Sequence, residues 1–541
     1  MITVLALLPI LWLILALAVL KLPAWKATSV AAVMSFIIAI IPFPFHQDPY
    51  IMITGALEGV ALAVWPICLV ITAAIFTYNL VVETKAMDTI KAMLSSVTAD
   101  TRILALLLGW GFGHFMEGMA GFGTAVAIPA AMMIAVGFDP LKSIVACLVA
   151  NSVPTTFGSI GIPTTTLAAL TGIDALHLGT YISTQLFILN IITPFFFVAI
   201  VSGGFKHLKG VFLITLLAGL GLAIPELFIN VTAGPELSVI GSAVVIMAII
   251  VALANVLDPK DDNYLVKGDA TPKVSAKEGL VAASPFILIF VLLLLTSKVF
   301  PAIYGPLSAI KTAVNIYQGE GAKPYTFVWI ATPGIMIFIS AFIGGKIQGA
   351  SLGRICGVLK NTFIGLLFTF LTIITVVVTA KLMTYSGMTA DIAEALVKAT
   401  GNAYPAFAPL GGALGAFLTG SGTNANVLFG PLQTAAAIQL HFGSKDLALW
   451  LAAINSGAAG IGKMMSPQSI AIAIGAVTPA LAAYVKNNNV DEATAKKMEA
   501  EITPSNIMKS VFKYFLIYII ADGIISYFGH NLINLIDMML G

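Results

Sequence analysis

Apolar runs about as long as a bilayer is thick recur along this whole chain, beginning with Met1 to Leu20, which holds no charged residue before Lys21. About 20 apolar residues are what a helix needs to cross a hydrocarbon core. Only 10% of the 541 residues are charged, 59% are hydrophobic, and the mean hydropathy is +1.00. Soluble chains carry roughly 25% charged residues, so most helices here lack the polar face that water demands. Such a chain folds as an all-α polytopic membrane protein, because in lipid every backbone polar group must be satisfied within the protein. The lipid bilayer is its partner by composition. A soluble enzyme is excluded, and a net charge of +2 leaves no basic excess for a nucleic-acid partner. Cys68, Cys147 and Cys356 sit singly among apolar or small neighbours, which fits packing rather than a disulfide framework or metal cluster. The first run has no basic n-region and no small-residue cleavage site after it, so it reads as a retained span.

Full spans are expected near 2–20, 27–44, 55–82, 141–172, 181–203, 211–231, 237–256, 280–298, 327–345, 361–383, 446–480 and 511–530, which makes twelve crossings. Two further stretches, 103–136 and 403–440, are each interrupted midway by glycine-rich polar sequence and fit re-entrant hairpins that enter and leave by one face. Charge supports the fold-back. With the N-terminus outside, 20 of the 27 lysines and arginines fall in cytoplasmic segments, six fall outside, and Lys463 belongs to neither. Both termini then lie outside. A full crossing by either interrupted stretch would destroy that bias.

The longest polar linker, 258–278, divides the chain into halves, 1–257 and 279–541, that repeat one another. Gly121-Phe122-Gly123-Thr124, Phe138, Asn151-Ser152, Gly158 and Pro163 are answered in the same order by Gly420-Ser421-Gly422-Thr423, Phe442, Asn455-Ser456, Gly462 and Pro467. The displacement is 304 positions for the last four features and 299 for the glycine motif. Asp88 and Asp391, in short polar helices, precede the two hairpins in matching places. On the span count the repeats run in opposite senses, an architecture of secondary transporters whose site lies near the membrane midplane. It is compatible with an elevator-type motion or with rocking.

Charges at membrane depth carry functional weight by default, because burying them is costly. Glu117 lies in the first hairpin turn and can be protonated reversibly, as a proton-coupling residue must be; the alternative is a salt bridge with Lys463. His114 beside it is read as a proton shuttle or as a hydrogen-bonded structural histidine. Gly121, Gly123 and the helix starting near Thr124 offer backbone amides and a positive dipole end to an anion, or simply pack closely. In the second turn Ser421, Thr423, Asn424 and Asn426 can bind a carboxylate and a hydroxyl together, or satisfy the backbone freed by the turn. Two helix breaks, Asn151–Pro163 and Asn455–Ser469, add Ser152, Thr155, Ser456, Ser466 and Gln468, with Lys463 midway through its span as the one buried cation. Glu58 and Glu226 lie near span ends within reach of water, and Asp522 suits helix packing or assembly. The sequence leaves room for a homodimer. No zinc-type His/Glu pair, P-loop or G-x-S-x-G elbow is present, so no cofactor or metal is implied.

The strings GHFMEGMAGFGTAVAIPAA (113–131), NSVPTTFGSIGIP (151–163), FLTGSGTNANVL (417–428) and GKMMSPQSIAIA (462–473) resemble the bacterial L-lactate permease family. The resemblance covers almost the whole chain. It implies proton-coupled uptake of L-lactate across the bacterial plasma membrane, with D-lactate and glycolate as related substrates, and Glu117 and Lys463 fall on matching motif positions. Gly422 stands where the family pattern admits an acidic residue. The leading expectation is a proton-coupled symporter of small 2-hydroxymonocarboxylates, with Lys463 and the Gly/Ser/Thr/Asn turns as ligands and Glu117 carrying the proton. The rivals are a sodium-coupled carboxylate transporter and an anion channel.

Overall fold

The computed structural model describes residues 2–540 apart from 122, 255, 257–263, 266–273, 441–444 and 488–489. Most of the linker 258–278 and the matched residues Phe122 and Phe442 therefore lie outside the described residues. What is described is almost entirely helix, with one small sheet in which Lys311–Val314 pairs antiparallel with Tyr325–Val328. Among the described residues nine helices are long and apolar enough to cross a membrane, and the bent pair Pro140–Ala150 and Pro154–Thr171 makes a tenth if it counts as one span.

Short polar residues mark where helices begin. Asp48, Asp139 and Thr503 each accept a backbone N–H of the first turn and are followed by a proline, whose missing N–H costs nothing there. Ser275 and Glu278 close a full capping box at the start of Ala276–Leu295.

The expected spans are helical, with four departures. The second, 27–44, is Ala24–Ile40 and has only 17 residues. The ninth, 327–345, begins in the strand Tyr325–Val328, and its helix Pro333–Ile347 starts only where Thr332-Pro333 supplies a first turn. The tenth, 361–383, is divided at Leu366 between the helices Leu352–Gly365 and Leu367–Tyr385. The eleventh, 446–480, is two helices, Lys445–Lys463 and Pro467–Asn487. The break there falls after Lys463 and not at Asn455. Asn455 and Ser456 find side-chain partners in Asn426 and Thr156 without disturbing their own helix, whereas Pro467 cannot continue one. Lys463 thus ends a helix, where a positive charge offsets the negative dipole end.

The membrane-depth charges also differ from expectation. Glu58 is buried and bonded by Lys381 at 2.8 Å and by the Tyr385 hydroxyl at 2.5 Å. Lys381, one of the six that the charge count expects outside, lies within the helix Leu367–Tyr385. Glu226 is buried and accepts from Asn190 at 2.8 Å. Arg102 is buried against Asp100, so Lys463 is not the one buried cation.

Glycines let the central helices meet backbone to backbone. A Cβ on Gly462 would overlap the carbonyl of Ala413, and one on Gly460 the carbonyl of Ser152. Gly462→Ala is therefore expected to destabilise the protein by roughly 1–3 kcal/mol, as overpacking does. A thermal-melt comparison in detergent checks this, and an unchanged melting temperature refutes it.

Candidate functional site

Four interruptions meet at the centre of the molecule. The first helix pair, Phe112–Met119 and Thr124–Ala135, has Ala120, Gly121 and Gly123 in its turn; the second, Pro409–Thr419 and Gly422–Gln439, turns at Gly420-Ser421. Each turn touches both broken helices. A Cβ on Gly123 would lie 2.9 Å from Ile472 and one on Gly121 would strike Ser159; one on Gly420 would lie 2.9 Å from Gln468 and one on Gly422 2.9 Å from Thr155. Gly121, Gly123 and Gly420 also hold positive φ of 58°, 87° and 67°, which glycine adopts without steric cost. Both glycine motifs are needed for contact as well as for turning.

A cavity of about 250 Å³ opens beside these turns, with no charged residue among those lining it. Gly123, Ser421, Thr423, Asn424 and Gln468 of the expected set line it. Three helices begin on it: Thr124–Ala135 behind Gly123, Gly422–Gln439 behind Ser421, and Pro467–Asn487 at Gln468 and Ser469. Thr124 N–H is already bonded to Gly121 O and Asn424 N–H to Ser421 Oγ, so what the three N-termini bring to this uncharged pocket is chiefly the partial positive charge of the helix dipole. The buried Oδ1 of Asn424 has no partner among the described residues. The opposite wall is Trp25 stacked on Phe368 at 5.3 Å, with Thr369 and Thr372. The sequence reading missed this wall, since its residues belong to uninterrupted apolar helices that carry no motif.

Glu117 and Lys463 do not line the cavity. They form a salt bridge of 2.8 Å with residue exposures of only 2% and 5%. The second oxygen of Glu117 accepts from Asn151 Nδ2 at 2.9 Å, and Lys463 Nζ also donates to Thr155 Oγ1 at 3.3 Å. Thr155 connects pair and cavity, because the same side chain packs against Gly422, next to the lining residue Ser421. Gly158 is the other close neighbour, its missing Cβ leaving room for the carboxylate at 2.5 Å. The salt bridge is the alternative that the sequence left open for Glu117 and Lys463, so in this state Lys463 is paired and not free. Asn151 was legible as a motif residue, recurring as Asn455, but its role as a carboxylate ligand was not.

The remaining expected residues do other work. His114 donates from Nδ1 to Trp110 O at 2.6 Å, lies tilted against that indole at 4.0 Å, and has no Nε2 partner among the described residues, so its ring is held by the backbone and not by Glu117. Thr124 spends its hydroxyl on Gly121 O at 2.7 Å and Ser152 on Val149 O at 2.7 Å. Asn426 donates to Ser456 at 2.8 Å and to Pro163 O at 3.0 Å, and Ser456 meets Thr156 at 2.5 Å, so these two tie the halves together instead of facing the cavity. Ser466 is buried, and its hydroxyl has no partner among the described residues.

A family model described as L-lactate permease matches residues 3–533. The chain belongs to the L-lactate permease family. It is 44% identical over 451 residues to an L-lactate permease of Streptococcus iniae, covering 83% of this chain and 93% of that relative. It is 35% identical to the glycolate permease GlcA of Escherichia coli (strain K12), covering 87% and 89%, and 31% identical to an L-lactate permease of Bacillus subtilis (strain 168), covering 87% and 89%. Among solved structures, the YdaH transporter of Alcanivorax borkumensis aligns over 82% of this chain and 86% of its own at 13% identity, with a TM-score of 0.35. As a member of the L-lactate permease family with nine membrane-length helices among its described residues, the chain is a multi-pass transporter of the bacterial plasma membrane and not an enzyme.

Proposed function

We propose that this chain carries L-lactate, together with the related 2-hydroxymonocarboxylates D-lactate and glycolate, across the membrane by proton-coupled symport. The observation that carries the reading is the uncharged cavity ringed by three helix N-termini, with Ser421, Thr423, Asn424 and Gln468 as neutral donors. Such a site holds a small carboxylate and its hydroxyl without the desolvation cost of a further charge. The names of the relatives, lactate and glycolate permeases, agree with that substrate class.

The buried pair supplies the coupling. Glu117 lies in the last turn of Phe112–Met119, at the negative end of that helix, so its charge depends on Lys463 and Asn151. When a substrate carboxylate draws Lys463 toward the cavity through Thr155, Glu117 takes up a proton, and the site stays neutral with Lys463, the substrate anion and an uncharged acid. Bare charge never crosses the membrane interior, which would cost several kcal/mol.

The architecture proposed with this reading is twelve spans and two re-entrant helix pairs, with both termini outside, in inverted halves 1–257 and 279–541 joined by 258–278. Support comes from exchange packing: Thr124–Ala135 packs on Pro467–Asn487, and Gly422–Gln439 on Gly158–Thr171. Because both helix pairs and the half-helix Pro467–Asn487 form one wall of the cavity and Trp25–Phe368 the other, an elevator-type slide along that seam fits the geometry. Labelled L-lactate uptake into proteoliposomes tests the function. An inward proton gradient is expected to drive accumulation and a protonophore to abolish it; uptake indifferent to pH but dependent on sodium rejects proton coupling.

A further inference from the structure

A second cavity, of about 220 Å³, lies between the kink of the helix Pro49–Glu83 and the half-helix Gly158–Thr171, lined by Trp65, Ile160, Ile162, Thr165, Tyr304 and Thr332 among others. Its position repeats that of the first. Trp65 stands 304 positions before Thr369 and Thr165 stands 304 before Ser469, the displacement that also relates Asn151-Ser152 to Asn455-Ser456, and Thr369 and Ser469 both line the first cavity. Each cavity is thus the space between a half's long helix and the half-helix after its break. In inverted halves, equivalent spaces face opposite sides of the membrane. The surrounding chain agrees: the first cavity is lined by Ala24, three positions after Lys21, one of the 20 residues that the charge count puts in the cytoplasm, while the second lies under the strand Tyr325–Val328, where Trp65 Nε1 donates to Val328 O at 3.0 Å.

What separates the second cavity from the central turns is strained backbone. Ser159, Ile160 and Gly161 hold positive φ of 46°, 60° and 73°, and a β-branched residue in that region is an outlier. Consecutive left-handed residues persist only where surroundings hold them. Here Ser159 Oγ donates to Ala120 O in the first turn at 2.9 Å, and Gly161 packs on the backbone of Pro235 and Glu236. Ile160 and Ile162 face the second cavity from this turn.

We infer that the second cavity is the opposite-side access route to the same carboxylate site, and that the left-handed turn Ser159-Ile160-Gly161 is the barrier that closes it. The inference rests on the transport reading above. It is tested in a Cys68→Ala, Cys147→Ala, Cys356→Ser background carrying either Thr165→Cys or Thr369→Cys, which lines the far wall of the first cavity, with a charged, membrane-impermeant thiol reagent applied to right-side-out or inside-out vesicles during lactate turnover. Thr165→Cys is expected to react from the outer face and Thr369→Cys from the cytoplasmic face, each with an uptake loss of about tenfold or more. Thr332→Cys, on the facing wall, replaces Thr165→Cys if that variant fails to reach the membrane. Reaction of both probes from one face, no reaction of the second-cavity probe, or reaction without loss of uptake overturns the route. Uptake by the unlabelled background protein is scored separately: its absence strikes the lactate reading, whereas sidedness of labelling still decides the route.

Discussion

Glu117→Gln abolishes proton-driven accumulation of lactate and leaves lactate exchange across the membrane intact. Gln is the shape of the protonated acid, so its carbonyl still accepts from Lys463, and its amide donates to Asn151 once that side chain turns its Oδ1 in place of Nδ2. The variant is locked in the state that the proposal assigns to the substrate-bound site, in which Lys463 is free to balance the substrate carboxylate. Return without substrate then requires Lys463 to cross unpaired, which is the costly step. With one proton per lactate, a gradient of one pH unit drives about tenfold accumulation, since one unit and one decade are the same free energy. The variant is expected to show no net lactate uptake under that gradient while still exchanging labelled for unlabelled lactate one for one, and its lactate affinity no longer rises as pH falls. Filter-assay accumulation and counterflow on the same vesicles separate the two readouts. Wild-type accumulation would remove Glu117 from the coupling.

Lys463→Met has the second large effect, and it falls first on folding. It strands the Glu117 carboxylate at 2% exposure with Asn151 as its remaining side-chain donor. Removing one member of a buried pair costs roughly 3–5 kcal/mol, because the other charge stays buried and uncompensated. The double variant Glu117→Gln/Lys463→Met removes the stranded charge, so most of that loss is expected to return while transport remains absent. Thermal melts and uptake on the three variants check this together. A double variant no more stable than Lys463→Met would show that the pair does not hold the central helices together, and one that still accumulates lactate would show that the pair is not needed for coupling.

Much of this molecule is visible in residue order because lipid tolerates so few arrangements. Twenty apolar residues can be little but a helix in a bilayer, so the apolar helices, their number to within a few, and the two glycine-marked turns follow from composition and spacing. The mirrored motifs located the four interruptions, and the scarcity of charge singled out Glu117 and Lys463. Residue order does not say how an interruption is built. Asn455 and Ser456 look like a helix break, yet they leave their helix unbroken because Asn426 and Thr156 reach their side chains from other elements. Ser159 and Ile160 carry no mark of the left-handed turn they form.

Which groups stand free and which are spent was decided by tertiary structure alone. Lys463 and Glu117 lie 346 positions apart, and each taken singly is a ligand or a coupling group; brought to 2.8 Å they become a neutral pair behind the cavity. The same holds for Glu58 and Lys381, which loop position makes wet and packing makes dry. The cavity itself belongs to no segment. Its electropositive character comes from three helix N-termini in different parts of the chain, and its far wall from Trp25 and Phe368, whose sequence surroundings are merely apolar. Local sequence determines where a helix starts and what it costs to bury a charge; only the packed fold determines which starts converge and which charges meet, because both depend on distances between residues that are remote in the chain.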